Sequence, residues 1–229
     1  MSLYKKDGRQ ILFIHIPKTG GTSISQMLEI NGWSKIESKI EKTHRGEILC
    51  KDNYSHHPHH AIWSKWEKTW DFEFTLVRNP YERFLSQARL VARESLSHDK
   101  EISPEGVIEW AKTIFFNLIP RHGKGMDDNH FRSQSEFTGN NTRIYRLEDQ
   151  KNELISELIS QNIISDDTVL PHLNKTQDND TQMIIAWPLY PKIHNEFLNF
   201  YKDDFNNFDY SVSVPTYSLN INWDKNKRN

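Results

Sequence analysis

The chain has a single cysteine, Cys50, among its 229 residues. One thiol can form neither an internal disulfide nor a cysteine-rich zinc site, so a buried or idle thiol in a reducing compartment is expected. Long hydrophobic runs are missing too. Residues 1–10 are polar, and the apolar run after them, Ile11-Leu12-Phe13-Ile14-His15-Ile16, is far too short for a signal h-region or a membrane span. The expectation is a protein without a membrane segment, with a bacterial cytoplasm as its default location and Met1-Ser2-Leu3 as a possible cloning remnant.

An excess of charge of one sign is also lacking. Lys plus Arg number 29 against 31 Asp plus Glu, a net charge of -2, which gives no global attraction to nucleic acid or acidic membranes. A nucleic-acid partner is therefore not expected, and any anion site has to be local. There is no internal repeat and no low-complexity tract, although residues 211–229 form a polar, lysine-rich tail. The 36% hydrophobic and 12% aromatic content suits one domain over residues 1–229 with a full core.

Ile11 to Ile16, uninterrupted and rich in β-branched residues, has the pattern of a central parallel strand covered on both faces, and Pro17 stops it. Lys18-Thr19-Gly20-Gly21-Thr22-Ser23 then reads as a turn, and Ile24, Met27 and Leu28 fall on one face of a following helix. The pattern recurs: residues 72–77 are an apolar strand, Arg78-Asn79-Pro80 a turn, and Phe84, Leu85, Ala88, Val91 and Ala92 the inner stripe of a helix. Trp63, Trp66 and Trp70 read as packing. Helices are expected over residues 107–118, 148–159 and 188–201 and a strand over 142–147. Alternating strands and helices predict an α/β fold, a parallel β-sheet flanked by α-helices with ligands at the strands' carboxyl ends.

A strand ending in a glycine-containing loop that opens a helix offers backbone N–H groups and the positive end of the helix dipole to an anion. The loop departs from the Walker A order, because no glycine lies four residues before Gly20-Gly21 and Lys18 precedes the glycines. Lys18 would neutralise charge on a bound phosphate. Arg78 can grip a phosphate with two parallel N–H groups, and Ser86, about two turns along the helix, can add a hydroxyl. Arg83 points elsewhere on the helix, and a surface ion pair is its expected state.

Phe13-Ile14-His15-Ile16-Pro17-Lys18-Thr19-Gly20-Gly21-Thr22-Ser23 resembles the 5′-phosphosulfate loop of the carbohydrate sulfotransferases, the family 2-like enzymes of Golgi type and their bacterial relatives. Val77-Arg78-Asn79-Pro80-Tyr81-Glu82-Arg83-Phe84-Leu85-Ser86 is similar to that family's 3′-phosphate segment. Weaker likenesses lie at residues 130–137, at Tyr145-Arg146-Leu147-Glu148, at residues 170–176 and at residues 200–210. The resemblance implies a P-loop-NTPase-like sheet. It also implies transfer of a sulfuryl group from 3′-phosphoadenosine 5′-phosphosulfate (PAPS) to a hydroxyl, a carbohydrate or other hydroxyl-bearing acceptor, and a loop with Asn174 and Lys175 near the donor.

An acceptor hydroxyl has so high a pKa that proton removal must accompany attack, which asks for a histidine or carboxylate base. Ser55-His56-His57-Pro58-His59-His60 is the obvious store. Glycan-type family members carry a histidine base before the second donor-binding strand, so by position His57, His59 or His60 inherits that role. No acidic or cysteine ligand adjoins the run, and no metal is expected. His15 reads as scaffold inside its strand, and His130, Arg132, Gln134, Arg121, His122 and Lys124 as candidates for an acceptor cleft. Two other readings stand beside the sulfotransferase. One is a non-catalytic nucleotide- or glycan-binding module, the other a nucleotide-dependent phosphotransferase on a related fold.

Overall fold

The structure, a computed structural model, describes residues 2–36, 57, 59–64, 69–95, 103–124, 127–168 and 187–215. Asp7 and Gly8 hold φ angles of 48° and 81°, the left-handed pair that closes a two-residue hairpin. Strand β1 (Ser2–Lys6) thereby folds back antiparallel on β2 (Arg9–Ile14), with Lys6 opposite Arg9. No strand was expected in this polar stretch. Ser2, Leu3 and Tyr4 are buried, and Asp7-Gly8 was the signal for the turn.

The sheet has the order β3-β1-β2-β4-β5, with β3 at Ser34–Ile36, β4 at Phe72–Val77 and β5 at Arg143–Arg146. β2, β4 and β5 run parallel, as expected, whereas β1 runs antiparallel to both its neighbours, β2 and β3. The sheet is therefore mixed, because a short hairpin can only make an antiparallel pair. Alternation along β2 divides the core. Ile11 and Phe13 pack with Ile24, Met27 and Leu28 of α1 (Gly21–Ile30) and with Leu154 and Leu158 of α6 (Lys151–Ser160). Leu12 and Ile14 face Trp63, Val77, Phe137 and Phe208. Each such large apolar side chain stabilises the fold by about 1.5–3 kcal/mol when fully buried.

Trp63 ends α2 (His60–Trp63) and meets Trp70 edge-on at 5.9 Å, which agrees with the packing role expected of both; Trp66 lies outside the described residues. A third cluster joins α3 (Pro80–Ser95), α4 (Pro104–Thr113), α7 (Pro191–Phe200) and α8 (Lys202–Asn207) around Tyr81, Phe84, Ile108, Phe115, Phe197 and Phe205. α4 starts earlier than the apolar pattern suggests because Ser103 Oγ accepts from Gly106 N at 3.1 Å and Pro104 suits the first turn. It widens into a π-helical turn at Ile114–Leu118 before α5 (Ile119–His122), where Pro120 lacks an N–H for the regular ladder. Among the described residues no helix is long and apolar enough to cross a membrane.

Candidate functional site

β2 and β4 run side by side with Ile14 opposite Thr75, so the loops after both emerge at the carboxyl edge of the sheet, where open α/β sheets bind ligands. In the first loop Lys18 and Gly20 hold φ angles of 68° and 88°. Two left-handed residues fold the chain tightly into the N-terminus of α1, whose first amides then face the loop. Gly21 is required by contact. A Cβ there would lie 2.0 Å from the His15 ring, so the glycine lets helix and imidazole touch. Thr19 is fully buried and its hydroxyl donates to the Ile16 carbonyl at 2.9 Å, which braces the loop from within. Thr22 is exposed and Ser23 buried.

The second segment meets the first. Arg78 Nη1 lies 3.5 Å from the Lys18 carbonyl oxygen, and Arg78 Nε and Nη2 each lie 3.3 Å from Glu82 Oε2. Burial pushes the Glu82 carboxyl up while Arg78 pulls it down, and burial is the stronger. The Arg78 main chain is clamped by Gln134, which accepts from its N–H at 2.9 Å and donates to its carbonyl at 2.8 Å. Gln134 is in turn held by Asp204 of α8, which accepts from the Gln134 N–H at 2.9 Å and from the Ser135 N–H at 2.9 Å. Ser86 is half-buried on α3.

Arg83 departs from its expected surface pairing. It is 2% exposed, and its guanidinium donates to the carbonyls of Pro17, Arg132 and His130 at 2.9, 2.9 and 3.0 Å. One planar fork thus ties the Lys18 loop to the 130–132 turn. The three acceptors come from distant segments, which is why helix position alone misread it.

The histidines divide by surroundings. His57 packs edge-on against His15 at 4.9 Å and against His130 at 5.1 Å, and its Nδ1 lies 2.9 Å from Asp128 Oδ2. His60 instead packs on Trp63 at 4.8 Å and over Gly139, and His59 is 8% exposed at the start of α2. Burial drives the His15 imidazole well below its ordinary value, with His57 adding to the effect. Burial, with His57 and Arg83, lowers His130 to about 3. Both rings are therefore neutral at pH 7. Lys18 is among the cations that hold His130 down, which sets this histidine cluster beside the lysine loop.

Asn174 and Lys175 lie outside the described residues. Asp128, Asn129, Glu82 and the clamp on Arg78 were not foreseen from sequence. The run Asp127-Asp128-Asn129 carried the one available signal, since Asp and Asn are the non-glycine residues that best tolerate a left-handed backbone. Among the described residues no group of three or more His, Cys, Asp or Glu side chains is arranged to hold a metal ion.

No curated protein and no solved structure matches the chain. The Sulfotransferase family matches over residues 3–211, a span that contains both strand-loop-helix units and every site residue described above. With most of its length covered by that match, and with the loops after β2 and β4 meeting at the carboxyl edge of an α/β sheet, the chain belongs to the sulfotransferase family.

Proposed function

We propose that this sulfotransferase takes its sulfuryl group from PAPS and delivers it to a carbohydrate hydroxyl. The observation that carries the reading is the 3.5 Å approach of Arg78 Nη1 to the Lys18 carbonyl, which joins a 5′-phosphate loop to a second phosphate grip. A donor with phosphates at both 5′ and 3′ positions needs two such grips. Lys18, with the amides of Gly20, Gly21 and Thr22 and the Ser23 hydroxyl, serves the 5′-phosphosulfate; Arg78 and Ser86 serve the 3′-phosphate. Asn174 and Lys175 keep the donor-closing role that the family resemblance implies.

The acceptor oxygen bonds to sulfur as the bond from sulfur to the phosphate oxygen breaks, and the electron pair stays on the departing phosphate. Lys18 stabilises that charge. His57 takes the hydroxyl proton; it has a carboxylate oxygen at 2.9 Å and His15 and His130 as ring neighbours.

The test is label transfer from [35S]PAPS to desulfated chondroitin, desulfated heparin and N-acetyllactosamine chains. Labelled product that His57→Ala reduces by about 10²- to 10⁴-fold supports the proposal. Binding of adenosine 3′,5′-bisphosphate with no transfer to any acceptor favours a non-catalytic module instead.

A further inference from the structure

We infer that Asp128 is a positioning residue for sulfuryl transfer, fixing the proton of His57 on Nδ1 so that Nε2 is the nitrogen that takes the acceptor's proton. The inference rests on the reading of His57 as the base. Its starting point is the backbone: Asp127, Asp128 and Asn129 hold φ angles of 51°, 51° and 66°, three consecutive left-handed residues of which none is glycine. Each carries a steric penalty, and such runs persist where the surroundings over-determine them, often at functional sites.

Those surroundings are specific. Asp127 Oδ2 accepts from Gln87 Nε2 at 2.6 Å, Asn129 Oδ1 accepts from Arg132 Nε at 2.8 Å, and the His130 N–H returns to the Asp127 carbonyl at 3.1 Å. The turn delivers two contacts to a single residue of another segment. Asp128 Oδ2 lies 2.9 Å from His57 Nδ1, and Asn129 Nδ2 donates to the His57 carbonyl at 2.9 Å. Main chain and ring of His57 are thus both held, by residues only 7% and 2% exposed.

An ionised carboxylate only accepts, so the nitrogen facing Asp128 must carry the proton and the lone pair falls on Nε2. Once Nε2 has taken a proton, the same carboxylate stabilises the imidazolium. The neighbouring rings lack this arrangement. His130 Nδ1 faces Gln87 Oε1 at 2.7 Å, with the nearest oxygen of Asp127 at 3.7 Å, and His15 packs beneath Gly21. Three imidazoles meet, and one has a carboxylate in hydrogen-bond contact to receive the charge.

The experiment combines histidine-selective 15N NMR with kinetics on wild type, Asp128→Asn and His57→Ala. Asparagine keeps the shape and tolerates the left-handed turn, but its amide can offer oxygen or NH₂, which loosens the choice of tautomer. With adenosine 3′,5′-bisphosphate bound, wild-type His57 is expected to show protonated Nδ1 and unprotonated Nε2, and Asp128→Asn a visible population of the opposite tautomer. Nucleotide affinity and acceptor KM should stay within about twofold while kcat falls about 10²-fold, toward the lower end of what a general base contributes. The spectra decide without turnover. An unchanged tautomer in Asp128→Asn, a kcat within about twofold of wild type beside an inactive His57→Ala, or nucleotide affinity lost in step with kcat, overturns the role of Asp128 alone. Wild-type kcat in His57→Ala overturns the base assignment and this inference with it.

Discussion

The peptide N–H of Arg78 donates to Gln134 Oε1 at 2.9 Å while the amide of the same side chain donates back to the Arg78 carbonyl at 2.8 Å. This two-way bond, in a side chain with no solvent exposure, fixes the main chain from which the Arg78 guanidinium leaves the end of β4. Gln134→Ala leaves a buried donor and a buried acceptor unmet. The expected cost is about 2–6 kcal/mol, at roughly 1–3 kcal/mol per unsatisfied group, together with weaker binding of adenosine 3′,5′-bisphosphate. Urea denaturation and calorimetric titration of the variant check both. An unchanged midpoint would mean that water replaces the amide.

Arg83 ought to matter as much as any residue that touches the donor. Its three carbonyl acceptors belong to Pro17, His130 and Arg132, so Arg83→Met strands all three and frees the Lys18 loop from the histidine turn. A loss of about 3 kcal/mol or more is expected. Arg83→Lys rescues little, because an ammonium lacks the planar fork. A lysine variant as stable as wild type would contradict the account of the fork.

Lys18 sits at a φ of 68°, where a side chain costs about 1–2 kcal/mol relative to ordinary backbone. Lys18→Gly should therefore melt at or above the wild-type temperature while kcat for transfer falls by about 10²-fold or more, the scale of removing one group that stabilises transition-state charge. Thermal unfolding and [35S] transfer on the same preparation measure the pair. Near-normal kcat would remove Lys18 from the chemistry.

Stability should fall in acid partly through His130. Its value of about 3 lies far below the ordinary 6.5, so between those limits the unfolded chain binds a proton that the folded chain does not, and acid favours unfolding. Burial comes first among the causes; His57, Arg83 and Lys18 add to it and Asp128 opposes it. The group contributes a slope of up to about 1.4 kcal/mol per pH unit below 6.5, and His15 adds in the same direction. His130→Gln should flatten the dependence of the urea midpoint between pH 7.5 and 5. Parallel curves for variant and wild type would count against a neutral buried imidazole.

What was legible beforehand depended on how local its cause was. The β2 and β4 units could be read because apolar runs, Gly20-Gly21 and Pro80 act over a few residues. The hairpin at Asp7-Gly8 was equally local and was passed over because the residues around it are polar. Arg83 and Asp128 belong to another class. Their partners lie 66 and 71 residues away, and no local pattern distinguishes a guanidinium destined for three buried carbonyls from one bound for solvent. For the same reason the run at 56–60 gave three equal candidates, and His57 separates from His59 and His60 only when the 127–129 turn comes against it.

The central claim is that two anion grips, one at Lys18 and one at Arg78, hold a nucleotide bearing phosphates at both ends of its ribose. Calorimetric titration of wild type and Arg78→Ala with adenosine 3′,5′-bisphosphate and with adenosine 5′-monophosphate tests it most directly. The account predicts that wild type binds the bisphosphate at least about tenfold tighter, roughly the 1.5–3 kcal/mol of a charge-assisted hydrogen bond, and that Arg78→Ala abolishes the difference. Equal affinity of wild type for the two nucleotides, or a preference that survives in Arg78→Ala, would contradict it.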